Sequence, residues 1–162
     1  MNIFYLHSDP IKAANVQYNK HVVKMILESA QMLCTAHYVY GSSEQKVNVP
    51  YRKAHLNHPS TIWARQSRSN YMWLYEHMIA LGKEYTRRYG KEHLTITKCR
   101  EFLSIPPQEL YDEAFSEPPQ CMPDKYKVNN DAVTAYWNYY ENEKHTVKNK
   151  NEQKIIRPHY IS

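Results

Sequence analysis

The feature that most constrains this chain is a run of apolar residues at helical spacing near its start. Asp9 followed by Pro10 is a typical helix start, because aspartate caps the first turn and proline is tolerated there. Gly41 predicts the end of this first long helix. The spacing of the apolar residues places them on one helix face. They are Val16, Val23, Ile26, Leu27, Ala30 and Leu33.

Three further segments carry helical signals. A second long helix is predicted over 61–89, with an interruption near 67–70 and an end at Gly90. A short helix is predicted over about 95–103, and Asp131 is the expected cap of a last helix. The polar residues 42–53 and the proline-rich residues 104–130 are predicted as loops. With only 3 glycines, the chain fits an all-α, compact single domain of about three to four helices better than a turn-rich β fold.

The length of 162 residues suits one domain. We expect a helical domain over 1–141 and a polar tail over 142–162 that is mobile or bound to a partner. The sequence has no long apolar run and no signal-peptide pattern, which predicts a soluble, cytoplasmic protein without a membrane association. Three widely spaced cysteines fit free thiols in a reducing compartment, so we expect no metal.

The charge of the chain is unevenly distributed. The formal net charge is +5, yet residues 1–100 hold 14 Lys+Arg against 6 Asp+Glu, and residues 101–130 hold 2 against 6. A basic body attracts phosphates, so this distribution is compatible with a nucleic-acid partner as well as with an ordinary solvated surface. The 15 tyrosines and 3 tryptophans provide rings for the core and, in part, for stacking on bases.

A second, polar stripe runs along the first long helix. His21, Lys24, Glu28 and Gln31 follow one another at steps of three, four and three, so they share one helix face. One interpretation is a solvent-exposed face on which Lys24 and Glu28 form an ordinary ion pair. The other is the wall of a cleft, because the flanking positions are apolar. In a cleft, Glu28 is a candidate general acid or base.

Three features in order along the chain resemble the pyrimidine-dimer DNA glycosylases of the endonuclease V type. These features are His21 with Glu28 seven residues later, the tripeptide Asn57-His58-Pro59 before a long helix, and the aromatic stretch 135–140. The resemblance covers roughly residues 1–140. It extends to phage proteins of the same overall pattern, which would place this protein in the cytoplasm of a host cell.

The resemblance implies an all-α domain that grips and bends duplex DNA and flips out a base. It also implies a reaction without a cofactor or a metal: a backbone α-amine attacks C1′ of the deoxyribose, the base leaves, and the resulting imine permits cleavage of the strand. Glu28 takes the place of the assisting glutamate. The amine belongs to Met1 or, after removal of methionine, to Asn2. An α-amino group suits this role because its reference pKa is about 8.

The sequence departs from the family pattern at several positions. A large second residue such as Asn2 usually leaves the methionine in place, so the nucleophile becomes the Met1 amine or a lysine such as Lys24. Ile3, Leu27 and Gln31 occupy positions where the family has DNA-binding arginines. Other basic residues are therefore expected to contact phosphates. They are Lys20, Lys24, Arg52, Lys53, Arg65 and Arg68.

Five more residues are predicted to meet the nucleic acid. His21 is expected to contact DNA from the polar stripe of the first long helix. Asn57 and His58 either line the cleft or cap the helix that follows them. Trp137 and Tyr139 are expected to be the less buried rings of the last helix and to contact DNA. His55 and His58 have a spacing seen in metal pairs, but no cysteine or carboxylate lies near them in sequence, so a metal is not expected.

Three functions remain open at this stage. The first is a DNA N-glycosylase with associated cleavage of abasic sites, acting on damaged or modified pyrimidines. The second is a non-catalytic protein that keeps the base-flipping cleft and uses it to bind a nucleotide or modified DNA. The third is a helical interaction module with no nucleic-acid role.

Overall fold

The computed structural model describes residues 1–158 and is all-α, as predicted; no strand occurs in that range. Four α-helices have ten residues or more, which matches the predicted three to four; three shorter helices are additional. The α-helices are α1 (Pro10–Asn15), α2 (Asn19–Tyr40), α3 (Ser43–Val47), α4 (Pro59–Ala64), α5 (Arg68–Tyr89), α6 (Leu94–Leu103) and α7 (Ala132–Asn142). Two 3-10 helices cover Asp124–Tyr126 and Lys144–Val147.

The core forms where α2 packs along α5. Helix α1 packs against α5, while α4 and α6 pack against α2. Gly82 permits the approach of α6 to α5, because a Cβ at that position would lie 2.6 Å from Cγ1 of Ile96. Gly90 has a φ of 75° and ends α5 in the left-handed conformation, as its position in the sequence predicts. None of the described helices is long and apolar enough to span a membrane.

The predicted first helix is divided in two around residues 16–18. Tyr18 is extended, and its N–H donates to the Tyr140 hydroxyl at 2.9 Å. The guanidinium of Arg88 donates to the carbonyls of Asn15 and Gln17, which are left free by the break. Side chains that are distant in sequence therefore satisfy the backbone at this point, and the local pattern gives no sign of them. The predicted interruption of the second helix is confirmed, since Ser67 caps α5 after α4 has ended.

The N-terminal segment, residues 1–9, has an irregular backbone conformation, and its residues 3–6 are buried. It contacts three helices: Phe4 packs on His21 of α2, Tyr5 on Trp73 of α5, and the Leu6 carbonyl accepts a hydrogen bond from α7. Because this segment fills the space between the helices, the position of the first residue is determined by core packing.

The loop before α7 and the polar segment after it both contact the helices. Nε1 of Trp63 donates to the carbonyl of Ser116, which holds the proline-rich loop on α4. In the C-terminal segment, the N–H of Ile155 donates to the Tyr18 hydroxyl at 2.9 Å. The described part of the predicted tail, 142–158, therefore packs on the helical body. Residues 159–162 lie outside the described residues.

Helix α3 lies within the polar stretch 42–53 that was predicted as loop, so that part of the prediction was wrong.

Candidate active site

A polar pocket of about 340 Å³ lies where the N-terminal segment meets α2, α7, the start of α4 and the proline-rich loop. Its position follows from the fold, because the buried segment 3–6 delivers the first two residues to the polar stripe of α2. Its walls combine the predicted stripe with residues that are far away in sequence. They are Met1, Asn2, Phe4, His21, Lys24, Met25, Glu28, His58, Cys121, Tyr139 and Lys144.

The central contact of the pocket joins the start of the chain to α2. The nitrogen of Met1 lies 3.3 Å from Oε1 of Glu28, whose side chain is only 13% exposed. Nζ of Lys24 lies 3.8 Å from the other carboxylate oxygen, Oε2. That oxygen is buried and accepts no hydrogen bond from the described residues, so Lys24 neutralises it only through charge. The cleft interpretation of the stripe is therefore correct for Glu28, and the predicted Lys24 pair is present as well.

Asn2 holds the amine in place. Its Oδ1 accepts hydrogen bonds from the N–H groups of Ile3 at 2.7 Å and Phe4 at 3.1 Å. Its Nδ2 donates to the carbonyl of Cys121 at 3.0 Å. The side chain thus fixes the turn of the first residues and links it to the proline-rich loop. In this arrangement Met1 supplies the amine beside Glu28, and Asn2 acts as its anchor.

Phe4 and His21 form the floor of the pocket. Their rings stack with centroids 4.2 Å apart, and Phe4 has a φ of 53°, which is a strained conformation for a residue with a bulky side chain. The Tyr140 hydroxyl lies 2.7 Å from Nδ1 of His21. That hydroxyl already accepts a hydrogen bond from the N–H of Tyr18. We therefore infer that the hydroxyl donates its own proton in a hydrogen bond to Nδ1 of His21, which acts as the acceptor.

His21 is neutral at physiological pH. Burial lowers the pKa of this histidine to about 3, and the positive charges of Lys144 and Lys24 act in the same direction. His21 lines the pocket, but its ring is buried in the floor and is less exposed than expected, and its contact with DNA stays a prediction. It supports Phe4 and the N-terminal segment and adds no charge to the pocket.

His58 combines the two roles that its sequence context left open. Its Nδ1 accepts the N–H of Ser60 at 3.1 Å, so it caps α4, and its ring also lines the pocket. Burial lowers the pKa of His58, and the nearby N-terminal amine lowers it further. Asn57 and Lys20 are exposed but are not among the residues that line the pocket.

Three of the predicted contacts lie elsewhere. Trp137 is 1% exposed and its Nε1 donates to the Leu6 carbonyl at 2.8 Å, so its prediction as an exposed DNA contact was wrong. Arg68 donates to the carbonyls of Leu110 and Gln108 and holds the proline-rich loop. Arg65 lines a separate cavity of about 600 Å³ at the other end of α4.

The pocket contains residues that the sequence did not identify, among them Lys144 and Cys121. Nζ of Lys144 lies 4.8 Å from the centre of the ring of Tyr139, a predicted residue that also borders the pocket. Cys121 approaches from the proline-rich loop, and its sulfur lies 3.4 Å from the Ser60 hydroxyl. No motif marks Lys144 or Cys121. The apolar stretch 3–6 was the one available signal that the N-terminus is buried.

The arrangement provides an amine, a carboxylate and two lysines around a small cavity. Such a set can form a bond from nitrogen to an electrophilic carbon and can move a proton at the carboxylate. Within residues 1–158, no three His, Cys, Asp or Glu side chains are grouped so that they could hold a metal ion. All three cysteines are free.

The chain was compared with known proteins in three ways. Neither models of protein families, nor curated protein sequences, nor solved structures gave a match.

Proposed function

We propose that this chain is a DNA N-glycosylase, with associated cleavage of abasic sites, that acts on damaged or modified pyrimidines in duplex DNA. The Met1 α-amine is the nucleophile and Glu28 is the carboxylate that assists it. The observation that carries the proposal is the 3.3 Å distance between the Met1 nitrogen and Oε1 of Glu28 inside a pocket. The pairing joins the two groups that the family resemblance assigns to the chemistry, although they are 27 positions apart in sequence.

The first step exchanges one bond at C1′ for another. Glu28 accepts a proton from the Met1 ammonium, and the neutral nitrogen forms a bond to C1′ of the deoxyribose. The bond between C1′ and the base breaks, and the base leaves with that electron pair and takes up a proton. The positive charge that develops on the sugar lies beside the Glu28 carboxylate, which stabilises it.

The second step cleaves the strand. The nitrogen loses a proton, and its electron pair then forms a C1′=N double bond while the C1′–O4′ bond breaks. O4′ keeps the electrons of that bond and takes up a proton, which gives a protonated imine between Met1 and C1′. Removal of a C2′ proton then forms a double bond between C2′ and C3′. The C3′–O bond breaks, and the 3′ phosphate leaves with its electrons. Glu28 is the carboxylate positioned to take the protons of these steps, because it is the only Asp or Glu among the residues that line the pocket.

Trapping with borohydride tests this proposal. Duplexes that carry a cyclobutane pyrimidine dimer, a modified pyrimidine or an abasic site are incubated with the protein and borohydride, which reduces an imine to a stable amine. We expect a covalent adduct with at least one of these duplexes. Glu28→Gln is expected to slow its formation by about 10²-fold to 10⁴-fold, and the matched change Glu44→Gln, on the exposed surface of α3, should leave it unchanged. The absence of both an adduct and base release with every duplex would refute the proposal.

A second candidate function is supported by the same ion pair. Glu28 has the Met1 amine and Lys24 within 4 Å, so its carboxylate attracts both nitrogens and holds them at the pocket wall. A protein that only binds modified DNA or a nucleotide would keep such a pair permanently. In that case Glu28→Gln leaves function intact, whereas Lys24→Ala weakens binding, and no adduct forms with any duplex.

A further inference from the structure

The pocket of the proposed active site has more positive than negative charge. The Met1 amine, Lys24 and Lys144 line it together with one carboxylate, that of Glu28. Glu28 already has two cations within 4 Å, the amine and Lys24. Lys144 has no carboxylate within that distance among residues 1–158. An ammonium group without a counter-charge at the edge of a small pocket favours an anionic ligand.

The position of Lys144 is determined by the segment that carries it. Residues 143–157 run from the end of α7 across the start of α2. The Glu152 carboxylate accepts the N–H of Asn19 at 2.7 Å, and the N–H of Ile155 donates to the Tyr18 hydroxyl. Nζ of Lys144 lies over the Tyr139 ring. Because these contacts order the segment before any ligand arrives, little further entropy is lost on binding.

We infer that Lys144 binds a phosphate group of the substrate beside the reacting sugar, so that the 3-10 helix Lys144–Val147 forms part of the DNA-binding surface. This inference rests on the proposed function. The bases and the deoxyribose of DNA are neutral, so the flanking phosphodiester is the one anion that can come close to a sugar placed against Met1. A compact ammonium group suits this ligand, since phosphate binding needs charge more than a fixed geometry.

The salt dependence of binding tests the inference. The affinity for a duplex with a tetrahydrofuran abasic-site analogue is measured over a range of KCl concentrations. Loss of one phosphate contact reduces the magnitude of the negative slope of log K against log salt by about 0.9. If the variant and the wild-type protein bind equally at 1 M salt, the variant therefore binds about eightfold more weakly than the wild-type protein at 0.1 M. We expect this loss for Lys144→Ala and not for Lys144→Arg. Lys150→Ala, which removes an exposed lysine of the same segment, is the matched control.

A second duplex distinguishes a specific contact from a general loss of charge. Replacing the phosphate on either side of the abasic-site analogue by a neutral methylphosphonate should remove the difference between the wild-type protein and Lys144→Ala at one of the two positions. Thermal unfolding of Lys144→Ala checks that the variant is folded.

The failures of the two proposals give different results. If the wild-type protein forms the borohydride adduct but Lys144→Ala keeps the wild-type slope, the inference is wrong and the proposed function stands. If the magnitude of the slope decreases equally for Lys150→Ala, Lys144 is one of many surface charges and the inference is also wrong. The same conclusion follows if neither methylphosphonate removes the difference in affinity between the wild-type protein and Lys144→Ala. If the wild-type protein forms no adduct and does not bind the duplex, both proposals fail.

Discussion

Removing the side chain of Asn2 should reduce both the stability and the reactivity of the protein. Asn2→Ala deletes three hydrogen bonds and leaves the N–H groups of Ile3 and Phe4 and the carbonyl of Cys121 without these partners. The segment cannot easily detach instead, because Ile3 and Phe4 are at most 3% exposed. At about 1 kcal/mol for each net hydrogen bond, we expect the free energy of unfolding to fall by about 3 kcal/mol.

Chemical and thermal unfolding measure the first effect. For a chain of this size, a loss of 3 kcal/mol lowers Tm by about 9 °C. The second effect is on chemistry, and it is measured on protein whose Met1 is shown by mass to be retained, because a small second residue permits removal of the methionine. An amine that is displaced by about 1 Å reacts about 10²-fold more slowly, which the rate of borohydride trapping reports. Asn2→Asp keeps the acceptor oxygen but loses the donor to Cys121, so it should fall between Asn2→Ala and the wild-type protein. Asn129→Ala, an exposed control, should change neither quantity. Unfolding and trapping of Asn2→Ala at wild-type values would refute the role of Asn2 as an anchor.

Two further predictions concern the core. Trp137→Ala should lower the free energy of unfolding by about 4 kcal/mol, as measured by denaturant titration. Trp137→Phe should cost less, because it leaves only the Leu6 carbonyl unpaired, and equal losses would contradict this packing. Acid should destabilise the protein, because burial lowers the pKa of His21 to about 3 and of both His37 and His77 to about 4. The unfolded chain then binds more protons below pH 6.5, so stability is complete above that pH and is lost as pH falls, by about 2 kcal/mol for each histidine at pH 5. An unfolding free energy that stays constant between pH 7 and pH 5 would contradict this prediction.

Much of the fold could be predicted because its helix ends have local signals. Asp9, Ser67 and Asp131 cap α1, α5 and α7, and Gly41 and Gly90 follow α2 and α5. The break before α2 could not be predicted, since it depends on residues more than 70 positions away in sequence. The hydroxyl of Tyr140 and the guanidinium of Arg88 satisfy the backbone there.

The part of the candidate site that lies on one helix could be predicted, because its residues follow a local spacing. The spacing of His21, Lys24 and Glu28 is local, so the sequence places them together on α2. The aromatic stretch 135–140 gives a helix, but its periodicity does not say which face is buried. Trp137 was therefore predicted to lie at the surface, whereas its indole is buried in the core and its Nε1 donates a hydrogen bond to the Leu6 carbonyl. The contribution of Lys144 depends on the path of the C-terminal segment, which follows from contacts to Tyr18 and Asn19 and from no motif.

The identity of the residue that forms the adduct shows whether the Met1 amine is the nucleophile. The wild-type protein is trapped with borohydride on an abasic-site duplex and digested, and the modified peptide is identified by mass together with the mature N-terminus. We expect the deoxyribose remnant to be attached to the α-nitrogen of Met1, and we expect acetylation of this nitrogen to abolish the adduct. Attachment to Lys24, whose Nζ is also within 4 Å of Glu28, or a protein that reacts equally well with a blocked N-terminus, would contradict it.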